Sequence, residues 1–420
     1  MIWTGILLLS IGWSFLFFTS ASLLLPNQDA AWDRLNYGIN FASAKSLDNV
    51  ILRLNILFHV MSSYLVILPL ASYLWMIDEV FFGGYNDIQI QKPVITISVP
   101  RGGTTSFHRT LALDERFATP TMAEVVMPFI CVYKLLFALN QTAPGLVQKT
   151  ESLLKWINRV TPQVEARHPI SLFAPDADDI LLGERHWVSV GAVRTFPVAE
   201  YWKKHYQMDA HSSRERDRSM QLHRRMCQKV LYNRPGPRRL LLRSHLSPCV
   251  GDFQRLYPDA VAVGILRNPV DVLQSFAGLS TEAVLAATGV NMLAPAAKDS
   301  IWWPSLFRAL LADMMDRESA LYGGDDDHAW KGRCHYVTFS EFKANPQGAL
   351  GTLYGKMELS MTPELEDALQ NGLKRHETYK TRHTYKNPTL DQMMIDEKRF
   401  LNLPGVKRYA ELLEEQSYGR

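Results

Sequence analysis

The chain has 420 residues, enough for two or three domains or for one large α/β domain with additions. Its 45 Lys and Arg against 42 Asp and Glu give a net charge of +3, which argues against a nucleic-acid-binding protein because such proteins need a concentrated basic face. The 47% hydrophobic and 21% charged residues exclude a disordered chain, and the four scattered cysteines, which form no CxxC pair, exclude a zinc knuckle or a disulfide scaffold.

Two hydrophobic runs occupy the N-terminal region. Met1–Leu25 and Ile56–Ile77 contain no Asp, Glu, Lys or Arg. The second has 22 residues, and a helix of that length spans about 33 Å, more than the roughly 30 Å of a bilayer core. A signal peptide is the alternative for the first run, and a buried helix of a globular domain is the alternative for the second. We predict N-terminal hydrophobic membrane helices in residues 1–84 and a globular domain in residues 85–420.

From residue 85 onward, strand and helix patterns alternate. Pro93–Val99 (PVITISV) is β-branched, apolar and bounded by prolines, which predicts a buried strand. Three later segments are further strand candidates: Arg239–Leu242, Asp259–Leu266 and His335–Phe339. Helices are predicted at Thr104–Leu113, Met122–Leu139 (broken at Pro128), Arg214–Leu231, from Val270, and at Trp302–Leu321. The alternation predicts an α/β fold with a parallel sheet flanked by helices.

The first chemical motif is PRGGTT, placed between the first predicted strand and a helix. Two glycines allow a tight turn and a close approach to a ligand, and the helix start offers free N–H groups and the positive end of its dipole. Arg101 adds a fixed charge, while Thr104 and Thr105 add hydroxyl donors. The motif predicts an anion cradle, with a plain capped turn as the alternative. No GxxxxGK spacing is present, so it is not a Walker A loop.

The second motif lies in Ala262–Phe276 (AVGILRNPVDVLQSF). The predicted strand ends before Arg267, Asn268 can cap the following helix, and Pro269 fits its first turn. Ser275 follows Arg267 by eight residues, about two helical turns. Because ligands of open α/β sheets bind at the carboxyl ends of strands, Arg267 and Ser275 are candidates to hold one phosphate. A salt-bridged Arg267 in an ordinary strand–loop–helix is the alternative.

Together, PRGGTT and the later LRNPVDVLQS resemble the sulfotransferase superfamily. That family has a 5′-phosphosulfate loop of the type P-[KR]-S-G-T-T and a 3′-phosphate segment R-[DN]-P-x-D-x-x-x-S. Both match here in order, including the Arg–Ser spacing. The intervening HRTLALDERFATPTMAEVVMP and LLLRSHLSP resemble its broad PRSGTT-type group. The resemblance extends over Tyr85–Tyr409 and leaves out the hydrophobic N-terminal region.

The resemblance implies a P-loop-NTPase-like sheet and transfer of a sulfuryl group from 3′-phosphoadenylyl sulfate (PAPS) to a hydroxyl or amine acceptor, without a metal. Arg267 and Ser275 would hold the 3′-phosphate. The 5′-phosphosulfate end would be held by Arg101, Gly102, Gly103, Thr104 and Thr105. The sequence departs from the family pattern twice. Gly102 replaces the usual Ser of the loop, and Arg243 replaces the usual Lys near the departing bridging oxygen.

The resemblance leaves two candidates for the general base. Glu124 lies in the apolar TMAEVVMPF segment, where several branches of the family place a catalytic Glu. His245, in RSHLSP, matches the catalytic His of the soluble branch. The surrounding sequence favours Glu124 slightly. The alternatives are a carboxylate paired with an Arg for Glu124 and a supporting or capping histidine for His245.

Three further features are weaker signals. His108 follows the loop by one helical turn, and packing or capping is the preferred interpretation. The acidic residues Asp176, Asp178 and Asp179 predict a solvated or acceptor-facing loop rather than a metal site. A basic C-terminal segment is predicted either to close over the donor or to form a solvated face; it contains Lys380, Arg382 and Lys386.

The sequence therefore predicts an integral membrane sulfotransferase. Its acceptor is expected to be a carbohydrate, lipid or small alcohol, and nucleic acid is not an expected partner. Because the donor is generally made in the cytosol, we expect the catalytic domain to face the cytosol rather than the Golgi lumen. The competing hypotheses are a non-catalytic nucleotide-binding membrane protein and a nucleotide-dependent kinase of related fold.

Overall fold

The structure is a computed structural model. It describes residues 61–157, 160–167, 169–176, 212–245, 249–288, 303–324, 330–380 and 386–418, with the single residues 14, 24, 36, 54, 57 and 58. These residues divide into two compact units, the first formed by residues 1–89, 123–152 and 180–235 and the second by residues 90–122, 153–179 and 236–420. The predicted domain boundary after residue 84 stays a prediction.

The described elements in chain order are a π-helical turn Ser63–Ile67, α1 Leu68–Phe82, a 3₁₀ turn Gly83–Asp87, β1 Val94–Ile97, α2 Thr104–Leu111, β2 Phe117–Ala118, α3 Met122–Val126, α4 Ile130–Thr142, α5 Pro144–Ile157, α6 Pro162–Arg167 and α7 Ser213–Tyr232. They continue with β3 Arg239–Ser244, α8 Val250–Leu256, β4 Val261–Leu266, α9 Pro269–Thr288, α10 Trp303–Tyr322, β5 Cys334–Thr338, α11 Phe339–Ala344, α12 Pro346–Lys356, α13 Pro363–Lys380, α14 Glu397–Leu401 and α15 Pro404–Tyr418.

The second unit is built on a five-stranded sheet in the order β2-β3-β1-β4-β5. Every pairing is parallel, so β1 has β3 on one side and β4 on the other. All four residues of β1 are buried, which fits a central strand covered by helices on both faces. The α/β prediction is confirmed, and all four predicted strands are present. The two-residue β2 was not predicted.

The core of the second unit lies against this sheet. Phe107 of α2 packs edge to face on Phe342 of α11, with ring centroids 5.5 Å apart. Both side chains belong to a buried cluster that also includes Val263 of β4 and Tyr354 of α12. At roughly 25 cal/mol per Å² of buried apolar surface, burial of this kind dominates the free energy of folding. It fixes the carboxyl ends of β1 and β4 side by side.

The first unit contains packed helices. Ala71 and Trp75 of α1 and Phe129, which precedes α4, share a buried cluster with Leu222 and Met226 of α7. Ser212 and Glu215 form a capping box that begins α7. The predicted break at Pro128 is confirmed, because α3 ends at Val126 and α4 begins at Ile130.

One described helical stretch, Leu65–Asp87, is long and apolar enough to cross a bilayer on length and composition alone. It has 23 residues and overlaps the second hydrophobic run predicted from the sequence. The first run, Met1–Leu25, lies outside the described residues apart from Ser14 and Leu24. The prediction of several membrane helices therefore stays a prediction.

Candidate functional site

The predicted anion cradle lies at the carboxyl end of β1, in the glycine loop (residues 98–103). The N–H of Gly102 donates to the Val99 carbonyl oxygen at 3.2 Å and closes the turn. Gly103 is the residue before α2 and has a φ of 105°, which L-residues rarely adopt. Arg101 has a φ of 71°, a strained conformation for a residue with a side chain. The loop thus directs the first N–H groups of α2 outward from the sheet edge.

Space around the loop also requires glycine. A Cβ on Gly103 would lie 2.5 Å from the Phe339 ring, and one on Gly102 would lie 3.2 Å from the carbonyl oxygens of both Val99 and Ile265. The serine that the family pattern has at position 102 would therefore crowd two backbone atoms here. A side chain at position 102 would require these neighbours to move by a few tenths of an ångström.

Gly103→Ala is expected to lower the free energy of unfolding by about 1–3 kcal/mol, because it combines a strained φ with the contact to Phe339. Urea unfolding of the two proteins measures the difference. Gly251→Ala is the matched control, since a Cβ there meets nothing within 4 Å. Equal unfolding free energies for the two variants would contradict the strain argument.

Arg101, Arg267 and Ser275 come together beside the loop. Nε of Arg101 donates to Ser275 Oγ at 3.0 Å, and Nη1 of Arg267 donates to the Arg101 carbonyl oxygen at 3.2 Å. Arg267 also lies 4.7 Å from the centre of the Phe339 ring and 3.3 Å from Asp271. The three residues predicted from two separate motifs thus form one cluster, at the carboxyl ends of β1 and β4.

The local fold positions Arg267 as the sequence predicts. Asn268 Oδ1 accepts the N–H groups of Val270 and Asp271 at 2.9 and 3.2 Å, which caps α9. The backbone N–H of Arg267 donates to the Tyr409 hydroxyl at 3.1 Å. Nε of Arg267 is buried and makes no hydrogen bond with any described residue. The guanidinium therefore keeps a donor for an anionic ligand.

Arg243 projects from β3 and is buried. Its Nη1 donates to Thr105 Oγ1 and its Nη2 to Asp176 Oδ1, each at 2.5 Å. A buried cation needs such a partner, because desolvation of an unpaired charge costs several kcal/mol. The sequence predicts a solvated or acceptor-facing position for Asp176, and the solvated alternative is wrong, because its side chain is 1% exposed and neutralises Arg243. The acceptor-facing alternative stays a prediction. Asp178 and Asp179 lie outside the described residues.

Arg167 is a site residue that sequence analysis missed. Its carbonyl oxygen accepts Nη1 of Arg101 at 3.1 Å. Its own guanidinium binds Asn387 Oδ1 at 2.7 Å, the Lys386 carbonyl oxygen at 2.9 Å and Glu282 at 3.1 Å. The buried Arg167 thereby connects the glycine loop to the basic C-terminal segment. Arg382 of that segment and the Lys380 side chain lie outside the described part of the chain.

His245 follows β3 directly and belongs to the same unit as the glycine loop. Its Nδ1 lies 2.8 Å from the Ser98 carbonyl oxygen. A carbonyl only accepts, so Nδ1 carries the hydrogen, and a proton taken up by the neutral ring would go to Nε2. This tautomer suits a general base.

Glu124 lies on α3 in the other unit. Its carboxylate accepts Arg234 Nη2 at 2.6 Å, Arg234 Nη1 at 3.0 Å and Asn233 Nδ2 at 3.1 Å. Burial is the largest single effect and lowers the pKa of Arg234, but the charge of Glu124, its hydrogen bonds and the nearby Tyr133 together outweigh it, so the pKa is raised overall. These contacts correspond to the alternative interpretation of Glu124, a carboxylate paired with an Arg. The role of Glu124 as base stays a prediction.

His108 is buried on α2, and its Nε2 lies 2.7 Å from Thr119 Oγ1. Desolvation, followed by the charge of Arg243, holds the pKa of His108 well below its usual range. The ring is therefore neutral and fits the packing role preferred from the sequence. Within the described residues, no three His, Cys, Asp or Glu side chains cluster as metal ligands. The expectation that no metal is needed stays a prediction.

Glu318 of α10 is fully buried behind the site. Neither carboxyl oxygen has a hydrogen-bond partner within the described residues. Burial raises the pKa of Glu318 well above its usual range, and the nearby Val99 N–H opposes this only in part. The neighbouring hydroxyls of Tyr322 and Tyr409 also have raised pKa values, first because of burial and then because of Glu318. Burial therefore favours the protonated, neutral form of Glu318.

The proton on Glu318 predicts a pH dependence of stability. An unfolded Glu ionises near pH 4.3, so above that pH only the folded state holds the proton. The stabilisation is complete below that pH and is lost as pH rises towards the folded pKa. Glu318→Gln cannot ionise, so its melting temperature relative to the wild type should increase between about pH 5 and about pH 8. Thermal unfolding of both proteins across this pH range tests the prediction. A difference in melting temperature that does not change with pH would contradict it.

Comparison with known proteins identifies the class. The chain belongs to the sulfotransferase family, whose pattern matches residues 93–363. Its fold is similar to the crystal structure of sulfotransferase STF1 from Mycobacterium tuberculosis H37Rv, with a TM-score of 0.60 at 16% identity over 94% of this chain and 97% of that chain. It is also similar to the crystal structure of sulfotransferase STF9 from Mycobacterium avium, with a TM-score of 0.64 at 15% identity over 91% of this chain and 95% of that chain. No curated protein matches the sequence.

The family and the five-stranded parallel sheet agree with the resemblance seen in the two motifs. The chain is thus a sulfotransferase, an enzyme class that transfers sulfuryl groups. At about 15% identity the similar structures establish the fold, and nothing about the acceptor follows from them.

Proposed function

We propose that the chain transfers the sulfuryl group of PAPS to a hydroxyl or amine acceptor by in-line displacement. The observation that supports this best is the convergence of Arg101, Arg267 and Ser275 beside the N-terminus of α2. A bisphosphorylated donor needs two anion sites, and the cluster offers two cations, a hydroxyl and helix N–H groups.

The residues fit such a donor. Nε of Arg243 and Nε of Arg267 are both buried without a hydrogen bond to a described residue, so each guanidinium has donor capacity that the fold does not use. Gly102 and Gly103 leave the loop backbone bare, which permits close approach of a phosphate. We assign the 5′-phosphosulfate end to residues 101–105 and the 3′-phosphate to Arg267 and Ser275.

In the proposed reaction the donor supplies the activated sulfuryl group. The acceptor oxygen forms a bond to sulfur while the bond from sulfur to the bridging phosphate oxygen breaks. Arg243, held against Thr105, stabilises the negative charge that develops on the leaving oxygen. His245 Nε2 takes the acceptor proton, while its Nδ1–H stays on the Ser98 carbonyl.

We favour His245 over Glu124 as the base on two observations. His245 shares a unit with the glycine loop, and its Nδ1 lies 2.8 Å from the Ser98 carbonyl oxygen, so the ring would take up a proton at Nε2. Both oxygens of Glu124 are already bound by Arg234, so proton transfer to Glu124 would break a buried ion pair.

The first experiment is equilibrium binding of 3′-phosphoadenosine 5′-phosphate by calorimetry, with and without Mg²⁺. Tight binding independent of Mg²⁺ is the expected result. Binding of ATP that requires Mg²⁺, with none of the bisphosphate, would support the kinase hypothesis instead. Incubation with labelled PAPS and a lipid or glycan extract then separates an enzyme from a binding module, and mass analysis of the sulfated product identifies the acceptor as carbohydrate, lipid or small alcohol.

We also propose that the protein is membrane-bound with its catalytic unit facing the cytosol, where the donor is generally made. The apolar stretch Leu65–Asp87 and the uncharged run Met1–Leu25 support the attachment. Release by carbonate washing would contradict integral attachment. Protection of the catalytic unit from protease inside sealed, right-side-out microsomes would contradict the orientation.

A further inference from the structure

The neighbouring strands β1 and β4 separate from each other at their carboxyl ends, where the glycine loop and Arg267 begin. The last residue pair between the two strands is Thr96 with Val263. β1 nevertheless continues to Ile97 and β4 to Leu266. Backbone groups beyond the last pair have lost their partners on the neighbouring strand. Because unpaired backbone groups are costly, they need partners from other parts of the fold.

Two tyrosine hydroxyls supply such partners. The hydroxyl of Tyr322, at the end of α10, donates to the Ile97 carbonyl oxygen at 2.7 Å. The hydroxyl of Tyr409, on α15, accepts the backbone N–H of Arg267 at 3.1 Å. Each tyrosine therefore holds one backbone group, the first at the end of β1 and the second just after β4.

Tyr409 is itself held firmly by the contact between α15 and α10. Its side chain is fully buried. Gly405, one turn earlier on α15, lets the two helices approach closely, because a Cβ there would collide with the Ala312 carbonyl oxygen. The neighbouring Arg408 forms an ion pair with Asp316 of α10. The hydroxyl of Tyr409 thus has little freedom to move away from the end of β4.

The side chain of Arg267 needs a fixed backbone to reach a ligand correctly. Its Nη1 donates to the Arg101 carbonyl oxygen at 3.2 Å, and its guanidinium lies 4.7 Å from the centre of the Phe339 ring. These contacts locate the far end of the side chain, whereas Tyr409 locates the backbone from which it starts. A phenylalanine would fill nearly the same space as Tyr409, but it would leave the Arg267 N–H without this acceptor.

We propose that Tyr409 is a positioning residue of the donor site, whose hydroxyl holds the Arg267 backbone so that the guanidinium meets the 3′-phosphate. The proposal rests on the proposed function, since it takes Arg267 as the residue that binds this phosphate. Tyr409 acts through Arg267 and not through a contact of its own with the donor. Its effect is therefore specific to the 3′-phosphate and does not extend to the 5′ end, which is assigned to residues 101–105.

Calorimetry with two nucleotides tests this role. 3′-Phosphoadenosine 5′-phosphate carries both phosphates, whereas adenosine 5′-phosphate lacks the 3′-phosphate. The Kd of the second divided by the Kd of the first is the 3′-phosphate preference. Tyr409→Phe, which removes only the hydroxyl, should lower this preference by about 5- to 10-fold, as expected for the loss of one hydrogen bond. In an Arg267→Ala background the same substitution should change the preference no further.

Tyr322→Phe is the matched control, because it removes a hydroxyl that holds the other strand end and not Arg267. It should leave the 3′-phosphate preference unchanged. Both Kd values of a variant come from one preparation, so partial unfolding lowers the binding stoichiometry and leaves the preference intact. A merely structural role of Tyr409 would weaken both nucleotides equally.

The outcomes separate this proposal from the proposed function. A wild-type protein that does not bind the bisphosphate, or does not prefer it, would overturn the proposed function and the role of Tyr409 with it. Three results would overturn the role of Tyr409 alone: a wild-type preference that Tyr409→Phe leaves unchanged, an equal loss of preference in Tyr322→Phe, or a further loss when Tyr409→Phe is added to Arg267→Ala.

Discussion

Arg267→Ala is expected to weaken binding of 3′-phosphoadenosine 5′-phosphate by about 2–5 kcal/mol, or about 30- to 5,000-fold in Kd. Arg267 donates to the Arg101 carbonyl and retains a buried Nε for the ligand. Its removal would take away the proposed contact with the 3′-phosphate and also the hydrogen bond to the Arg101 carbonyl. Isothermal titration calorimetry of both proteins measures the difference.

Arg317→Ala is the matched control for this prediction. Arg317 forms an (i, i+4) ion pair with Asp313, as Arg267 does with Asp271, and their side chains are 26% and 22% exposed. Such surface ion pairs contribute little to stability. Arg317→Ala should therefore leave the binding free energy of the ligand within a few tenths of a kcal/mol of the wild-type value. Unchanged affinity in a folded Arg267→Ala variant, or an equal loss in both variants, would contradict the assignment of Arg267 to the 3′-phosphate.

The central strands β1, β3 and β4 could be predicted because nearly all their residues are buried. Buried parallel strands appear as short β-branched apolar runs, and Pro93 and Pro100 bound the first of them. β2 could not be predicted, because its two residues, Phe117 and Ala118, are too few to show a strand pattern in the sequence. The cluster of Arg101 and Arg267 was also predictable, since β1 and β4 are parallel neighbours whose carboxyl ends meet.

The remaining contacts depend on pairs far apart in sequence. Arg243 and Asp176 are separated by 67 residues, and Arg167 and Asn387 by 220. The spacing of residues along the sequence does not predict such pairs, because it indicates only which residues share a face of a single helix or strand. The sequence therefore predicts a solvated or acceptor-facing Asp176 and does not single out Arg167. Glu318 was missed for the same reason, since burial of a lone carboxyl within a helix leaves no pattern in the sequence.

If His245 is the base, His245→Asn and Glu124→Gln should have different effects on turnover, and if Glu124 is the base, these effects should be reversed. His245→Asn should lower turnover by about 10²- to 10⁴-fold with donor affinity nearly intact, as expected for loss of a general base. The asparagine amide still donates to the Ser98 carbonyl in place of Nδ1–H, so the fold around the loop is kept while the basic nitrogen is lost. Steady-state kinetics and calorimetry on the same preparation separate turnover from binding.

Glu124→Gln should act mainly on stability. The substitution leaves Arg234 buried opposite a neutral amide, and breaking a buried ion pair costs up to about 3–5 kcal/mol. Turnover per folded molecule should then change far less than in His245→Asn, and Arg234→Met should show the same stability loss. If Glu124→Gln instead folds normally and loses about 10²-fold or more of its turnover while His245→Asn stays active, Glu124 is the base and our assignment of His245 is wrong.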